Sequence, residues 1–266
     1  MKQKKIALLD TDFTVKTIMS QKDSENHLID LLMQLSDYSF VCHTKTIEEI
    51  KDHDYCSSYE WIQENVKAGK VKVYSDEKIL SILQELYGAG ATSQYIKFLG
   101  NSCDAFSSNR FKDNYAALEE LEPVTNESEF LKKLYSCDEA YGKGKGLGEV
   151  KLLVLLQTLN TIYPGMVEVF CSDDSGARTG VFLTGKVHCI SVISLFYHLK
   201  NWGLKKEDAE PYYLSYEKSL YPTQKTFKVY NSTRTNRLDI PCREVFDNIY
   251  LDKYDAFGTG VLIEKA

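Results

Sequence analysis

Five short apolar runs, each followed by a stretch of helical periodicity, constrain this chain more than any other feature. "IALL" (Ile6 to Leu9), "YSFVCH", "KVKVYS", "VEVFC" and "KVHCIS" read as strands, and the first is apolar throughout, as a strand covered by helices on both faces must be. Leu28, Leu31, Leu32 and Leu35 recur at helical spacing behind Ser24 as N-cap. "TIEEIKDH" begins another helix, and "SSYEWIQENVKAG" continues helical to a C-cap at Gly69. Strands alternating with helices predict an α/β fold with a mainly parallel central sheet flanked by helices.

From Ser75 the pattern changes, because "SDEKILSILQELYGAG", "TSQYIKFLGNSCDAF" and "NYAALEELEP" are all helical with no strand between them. This predicts a helical insertion at about 75–135 within a domain spanning 1–205. Trp61, Tyr87, Tyr95 and Phe98 sit at helical positions and are expected in the core. "GEVKLLVLLQTLN" then reads as a helix apolar nearly all round, "SGARTG" as a short helix, and "VISLFYHLKNWG" as a helix with Gly203 past its end. Residues 206–266 read as a C-terminal extension packed on the same domain, with a helix, a strand near "TFKVYNST" and a helix in "CREVFDNIYLDKY". A chain of 266 residues, 43% of them apolar, can bury a substantial core.

The longest apolar run near the middle, Leu152 to Leu156, is far short of the roughly 20 residues of a bilayer span, and "MKQKKIALLD" has no long apolar region. A soluble, cytoplasmic protein without membrane contact is expected. Seven cysteines, an odd count with no C-x-x-C spacing, predict free buried thiols, and the five histidines form no zinc-ligand pattern. A net charge of −6 argues against bulk capture of nucleic acid. It is compatible with carboxylates gathered around cations and a local basic rim for phosphate.

In open α/β sheets the ligand lies outside the carboxyl ends of the strands. Asp10 directly follows the first strand, Asp173 and Asp174 follow "VEVFC", Glu48 and Glu49 open the helix after the second strand, and Glu149 opens the apolar helix. Singly these are ordinary helix-start and turn residues. Together they are like charges at one kind of junction, costly to pack unless a cation neutralises them, which predicts a site for Mg²⁺ or Mn²⁺. Thr11 and Ser172 place hydroxyls beside the acids. Lys143 and Lys145 on the loop "YGKGKGLGE", and Arg178 past the acid pair, would contact a phosphate backbone. Glycines 142, 144, 146 and 148 fit neither nucleotide-binding glycine pattern.

With these residues in order, the chain resembles the PIN-domain nucleases, which include VapC-type toxins. "LLDTDF" resembles the opening strand with its first acid, "TIEEI" the acid-then-apolar helix start, "GLGEVKLLVLL" the Gly-Glu helix, and "SDDSGAR" the acid pair followed by a small residue and Arg. "KVHCISVISLFYHLKNWGL" looks like the closing strand and helix, so the resemblance covers residues 4–75 and 140–205. It implies a PIN-like fold and a metal-dependent endoribonuclease, with Asp10, Glu49, Glu149 and Asp173 or Asp174 as ligands of one or two Mg²⁺ or Mn²⁺ ions. Glu49 is preferred to Glu48 because Ile50 follows it. A metal-activated water would attack phosphorus, with Asp12 or the non-coordinating member of the Asp173/Asp174 pair as general base. RNA is the implied substrate, and an antitoxin or a second copy of the chain the implied partner.

Two other readings stand beside this one. D-x-D-x-T after an apolar strand also resembles the haloacid-dehalogenase phosphatases, which would make Asp10 a covalent nucleophile, Asp12 a general acid, Lys143 or Lys145 the phosphate-binding lysine, and Asp173 and Asp174 Mg²⁺ ligands. The third is a PIN-like module that binds RNA or protein without cutting.

Overall fold

A computed structural model describes residues 4–106, 109–121, 126–141, 146–173, 187–221, 224–257 and 261–265. Its centre is a five-stranded sheet made of β1 (Lys5–Leu9), β2 (Tyr38–His43), β3 (Val71–Tyr74), β4 (Val167–Cys171) and β5 (His188–Ile190). The order is β3-β2-β1-β4-β5, and each neighbouring pair is parallel. The α/β class and the parallel sheet follow from the apolar runs. Side chains alternate along β1, so Ile6 and Leu8 join one core while Ala7 and Leu9 join the other.

One face carries α1 (Thr11–Met19), α2 (Leu28–Met33), α3 (Thr44–Asp52), α4 (Cys56–Lys67) and α10 (Val192–Asn201). The other carries α5 (Asp76–Tyr87), α6 (Ala91–Asp104), α7 (Arg110–Tyr115), α8 (Glu127–Tyr141) and α9 (Leu147–Ile162). The insertion therefore runs on through α8 to Tyr141, past the expected end, because Phe130, Leu134, Cys137 and Tyr141 recur on one buried helical face. Within it Tyr95 and Phe98 are buried, as is Trp61 in α4, whereas Tyr87 is exposed at the end of α5. All seven cysteines are free; six are buried and Cys56 is exposed.

Two elements depart from the sequence reading. Helix α1 starts at Thr11, immediately after β1, although the polar string Asp10, Thr11, Asp12 and Thr14 carries no apolar helical pattern. Thr14 and Thr17 are buried because their hydroxyls donate to the carbonyls of Asp10 and Phe13, at 2.6 and 2.7 Å, so they behave as core residues. Helix α2 is capped by His27, not by Ser24. The C-terminal extension holds α11 (Lys206–Ser219) and α12 (Cys242–Tyr250) beside a second sheet in the order β7-β6-β9-β8. Of its strands β6 (Thr226–Tyr230), β7 (Arg237–Pro241), β8 (Tyr254–Phe257) and β9 (Val261–Glu264), the sequence pattern reveals only β6. Tyr213, Val229, Phe246 and Leu262 of the extension join the core cluster that covers β1 on the α1 side, and Phe246 stacks on Tyr213 with ring centroids 4.2 Å apart. Among the described residues no helix is long and apolar enough to cross a membrane.

Candidate functional site

The chain runs β1, β2, β3 toward one edge of the sheet and then returns to place β4 and β5 on the other, so the switch point lies between β1 and β4. Asp10 and Ser172 stand there, each one residue past the end of its strand. Asp10 caps α1, its Oδ1 accepting from the Thr11 N–H at 2.8 Å, while the Ser172 hydroxyl donates to its Oδ2 at 2.8 Å. The carboxyl is 2% exposed. Burial pushes its proton affinity well above the usual carboxylate range and the charge of Glu149 adds to this, against the opposing pull of the Ser172 and Thr11 bonds.

From Asp10 the cluster extends through hydrogen bonds. The Thr11 hydroxyl donates to Glu49 Oε2 at 2.7 Å, and the Gly148 N–H, in the first turn of α9, donates to Glu49 Oε1 at 3.0 Å. Helix α3 thus delivers Glu49 onto the start of the helix that carries Glu149. Glu48, one residue earlier, points outward and pairs with Lys45 at 3.0 Å. On the β4 side, Asp173 accepts from Lys16 Nζ at 2.7 Å and from the Val192 N–H at 3.1 Å. Burial works against the charge on Lys16, but Asp173 and Asp12 prevail and raise its proton affinity. Asp12 itself lies 61% exposed, 3.3 Å from Lys16. Asp174, Lys143, Lys145 and Arg178 lie outside the described residues.

Gly148 is required by contact, since a Cβ there would stand 2.3 Å from Glu49 Oε2 and 2.7 Å from Oε1. Gly148→Ala must push the carboxylate off both the Thr11 hydroxyl and its own N–H. Because the obstacle is the tip of a flexible side chain, we expect a stability loss of only about 1 kcal/mol. The displaced ligand group should nevertheless lower any cation affinity of the site by about tenfold or more. Denaturant unfolding and Mn²⁺ titration check this, and in a Glu49→Ala background the same change should have almost no further effect.

The structure adds Arg110, from α7 of the insertion. The position a Cβ would take on Gly146 is 3.2 Å from Glu149 Oε2 and 3.4 Å from Arg110 Nη1, which places the guanidinium beside Glu149. Arg110 lies over the Phe106 and Tyr141 rings, and its Nη1 is buried without a hydrogen-bond partner among the described residues. A lone Arg in "NRFKDNY" carries no sequence signal for this role; α7 packs on α6 and α8, and only the reach of the Arg110 side chain to Gly146, the N-cap of α9, brings it in. Lys16 was legible as the i,i+4 partner of Asp12, though not as the counter-charge of Asp173.

The chain matches no family model, no curated protein and no solved structure.

The donor set consists of carboxylate and hydroxyl oxygens, which suit Mg²⁺ or Mn²⁺. Asp10, buried beside Glu149 with its charge opposed by both burial and that neighbour, is a carboxylate whose ionised form a cation would relieve. Each oxygen of Glu49 accepts one bond and keeps a second lone pair. The expected ligand set of Asp10, Glu49, Glu149 and Asp173 or Asp174 is not gathered among the described residues, however: there no group of three His, Cys, Asp or Glu side chains is placed to hold a metal ion, and Asp174 lies outside them. Asp173 is the clearest departure, its oxygens taken by Lys16 and the N-terminus of α10. The residues therefore fit a cation at the Asp10–Glu149 pair with Glu49 in support.

Proposed function

We propose that the switch-point crevice hydrolyses phosphodiester bonds in RNA with the help of Mg²⁺ or Mn²⁺, held by Asp10 and Glu149 with Glu49 beside them. The observation that carries this reading is the buried Asp10, held by Thr11 and Ser172 at the one place where an open parallel sheet exposes a ligand crevice. The order of the acids in the PIN-like resemblance supports it. A divalent ion in such a site lowers the pKa of a bound water and stabilises charge on the phosphoryl oxygens.

The chain's own groups would do the rest. Ser172 and the Thr11 N–H fix the two oxygens of Asp10, while Thr11 and Gly148 fix those of Glu49, so neither carboxylate must reorient during a turnover. Arg110, whose buried Nη1 stands beside Glu149 with no hydrogen-bond partner among the described residues, would take a phosphate oxygen. Lys16 keeps Asp173 on the β4 wall of the crevice, where it would orient water by accepting a hydrogen bond. The phosphatase reading needs Asp10 and Asp12 aimed at one substrate; here Asp10 is buried as a helix cap and Asp12 turns outward toward Lys16.

Purified protein with single-stranded RNA and Mn²⁺ provides the test. Cleavage should depend on the metal and fall about 100-fold or more in Glu149→Gln, about 2.7 kcal/mol of barrier. RNA left intact by the wild-type protein, or cut equally well by the variant, refutes the proposal. Turnover of para-nitrophenyl phosphate with a phosphorylated Asp10 would instead establish the phosphatase, and RNA binding without cutting the non-catalytic module.

A further inference from the structure

Past Glu49 the crevice opens into a cleft of about 650 Å³ between α3 and the insertion helices α5 and α8, with α9 at its base. Seven carboxylates line it, among them Asp52, Glu77, Asp138 and Glu139, against two lysines, Lys45 and Lys151. A wall of this sign repels a phosphodiester backbone, so whatever enters must be free of phosphate and rich in hydrogen-bond donors.

Within this acidic wall sits His43, 2% exposed at the carboxyl end of β2. The Lys45 N–H donates to its Nδ1 at 3.1 Å, so the neutral ring carries its proton on Nε2. Nε2 is 3.3 Å from Asp76 Oδ1 yet makes no hydrogen bond among the described residues, because the carboxylate lies off the N–H axis. A neutral ring with Nδ1 as acceptor has no lone pair on Nε2 to offer a metal. It offers a donor. The cleft thus presents one buried, unmatched N–H surrounded by carboxylate acceptors.

We propose that this cleft is a guanine-binding subsite for the RNA substrate, an inference that rests on the nuclease reading of the neighbouring crevice. The edge of guanine offers O6 as an acceptor followed by N1–H and the N2 amine as adjacent donors, which complements the His43 N–H beside carboxylates. Uracil would turn two carbonyls toward that lining, and adenine and cytosine offer a single amine. Tyr135, from α8, and His53, from the end of α3, lie among the lining residues and give the base aromatic surface to stack on. The charge of the cleft then sorts the nucleotide, with the base inside and the phosphate outside, on the side of Arg110.

Titration calorimetry of the full chain with 5′-GMP, 5′-AMP, 5′-CMP and 5′-UMP in EDTA tests this, since the phosphate is common to all four. GMP should bind at least tenfold tighter than UMP, and His43→Phe, its folding verified by circular dichroism, should abolish the difference. Glu149→Gln should keep the preference. Equal binding of the four nucleotides, or no binding of any, overturns the subsite, and the wild-type measurement alone decides this. If the protein also cuts RNA without regard to guanosine, the nuclease stands and only the subsite falls. GMP selectivity in a protein that cuts no RNA retains the subsite and removes the nuclease.

Discussion

Replacing Lys151 with methionine should destabilise the protein by about 3–5 kcal/mol, because it leaves the buried Asp76 and the partly buried Asp138 without a counter-charge. Lys151 is 1% exposed, with its Nζ 3.0 Å from Asp76 and 2.7 Å from Asp138. Burial alone would drive Asp76 toward its neutral form, but Lys151 and a hydrogen bond from Tyr95 hold it well below the usual carboxylate range. Asp138 also accepts from the Tyr115 hydroxyl at 2.7 Å. The network ties α5 and α8 of the insertion to α9, two residues beyond Glu149, so its loss also loosens the helix that delivers that acid. Thermal unfolding followed by circular dichroism should show a fall in Tm of about 6–20 °C, at about 2–4 °C per kcal/mol for a chain of this size. The triple change Lys151→Met, Asp76→Asn, Asp138→Asn should recover most of that loss, which separates the effect of charge from that of packing. A single variant within 1 kcal/mol of the wild type would show that the network does not hold the insertion in place.

The second large effect runs in the opposite direction. Asp10→Asn should raise stability at neutral pH in the absence of divalent cations while abolishing cleavage. The folded protein holds Asp10 at a raised pKa, first through burial and then through Glu149. A carboxyl raised in this way binds its proton more tightly folded than unfolded, so stability is lost as pH rises from the unfolded value near 3.8 to the folded value, and the full penalty persists above it. Asparagine is neutral throughout this range, accepts from the Thr11 N–H as aspartate does, and can donate to the Ser172 oxygen once that hydroxyl rotates. Denaturant midpoints measured from pH 4 to 8 in EDTA should therefore decline more steeply for the wild type than for Asp10→Asn. Parallel pH profiles would show that Asp10 bears no such penalty.

The sheet was legible because burial on both faces leaves a simple mark, an unbroken apolar run such as Ile6 to Leu9, and because Leu28, Leu31, Leu32 and Leu35 repeat with helical spacing. Asp10 and Glu149 were legible for a related reason: topology fixes where the carboxyl ends of parallel strands lead. What stayed hidden depends on partners distant in the chain. Helix α1 begins in a polar string whose threonines satisfy their hydroxyls on its own backbone. Strand β7 is largely exposed and carries little apolar pattern. Lys151 reads as a surface residue until Asp76 and Asp138, 75 and 13 positions away, close around it. Asp173 looked like a metal ligand because no sequence pattern places Lys16 against it.

The most direct test of the buried Asp10–Glu149 pair as a cation site is the melting temperature measured with rising Mn²⁺ at pH 7. The wild-type Tm should climb with metal concentration as the bound form is drawn off, overtaking that of Asp10→Asn, which starts higher and stays flat. A wild-type protein indifferent to Mn²⁺ and more stable than Asp10→Asn in EDTA would contradict the account.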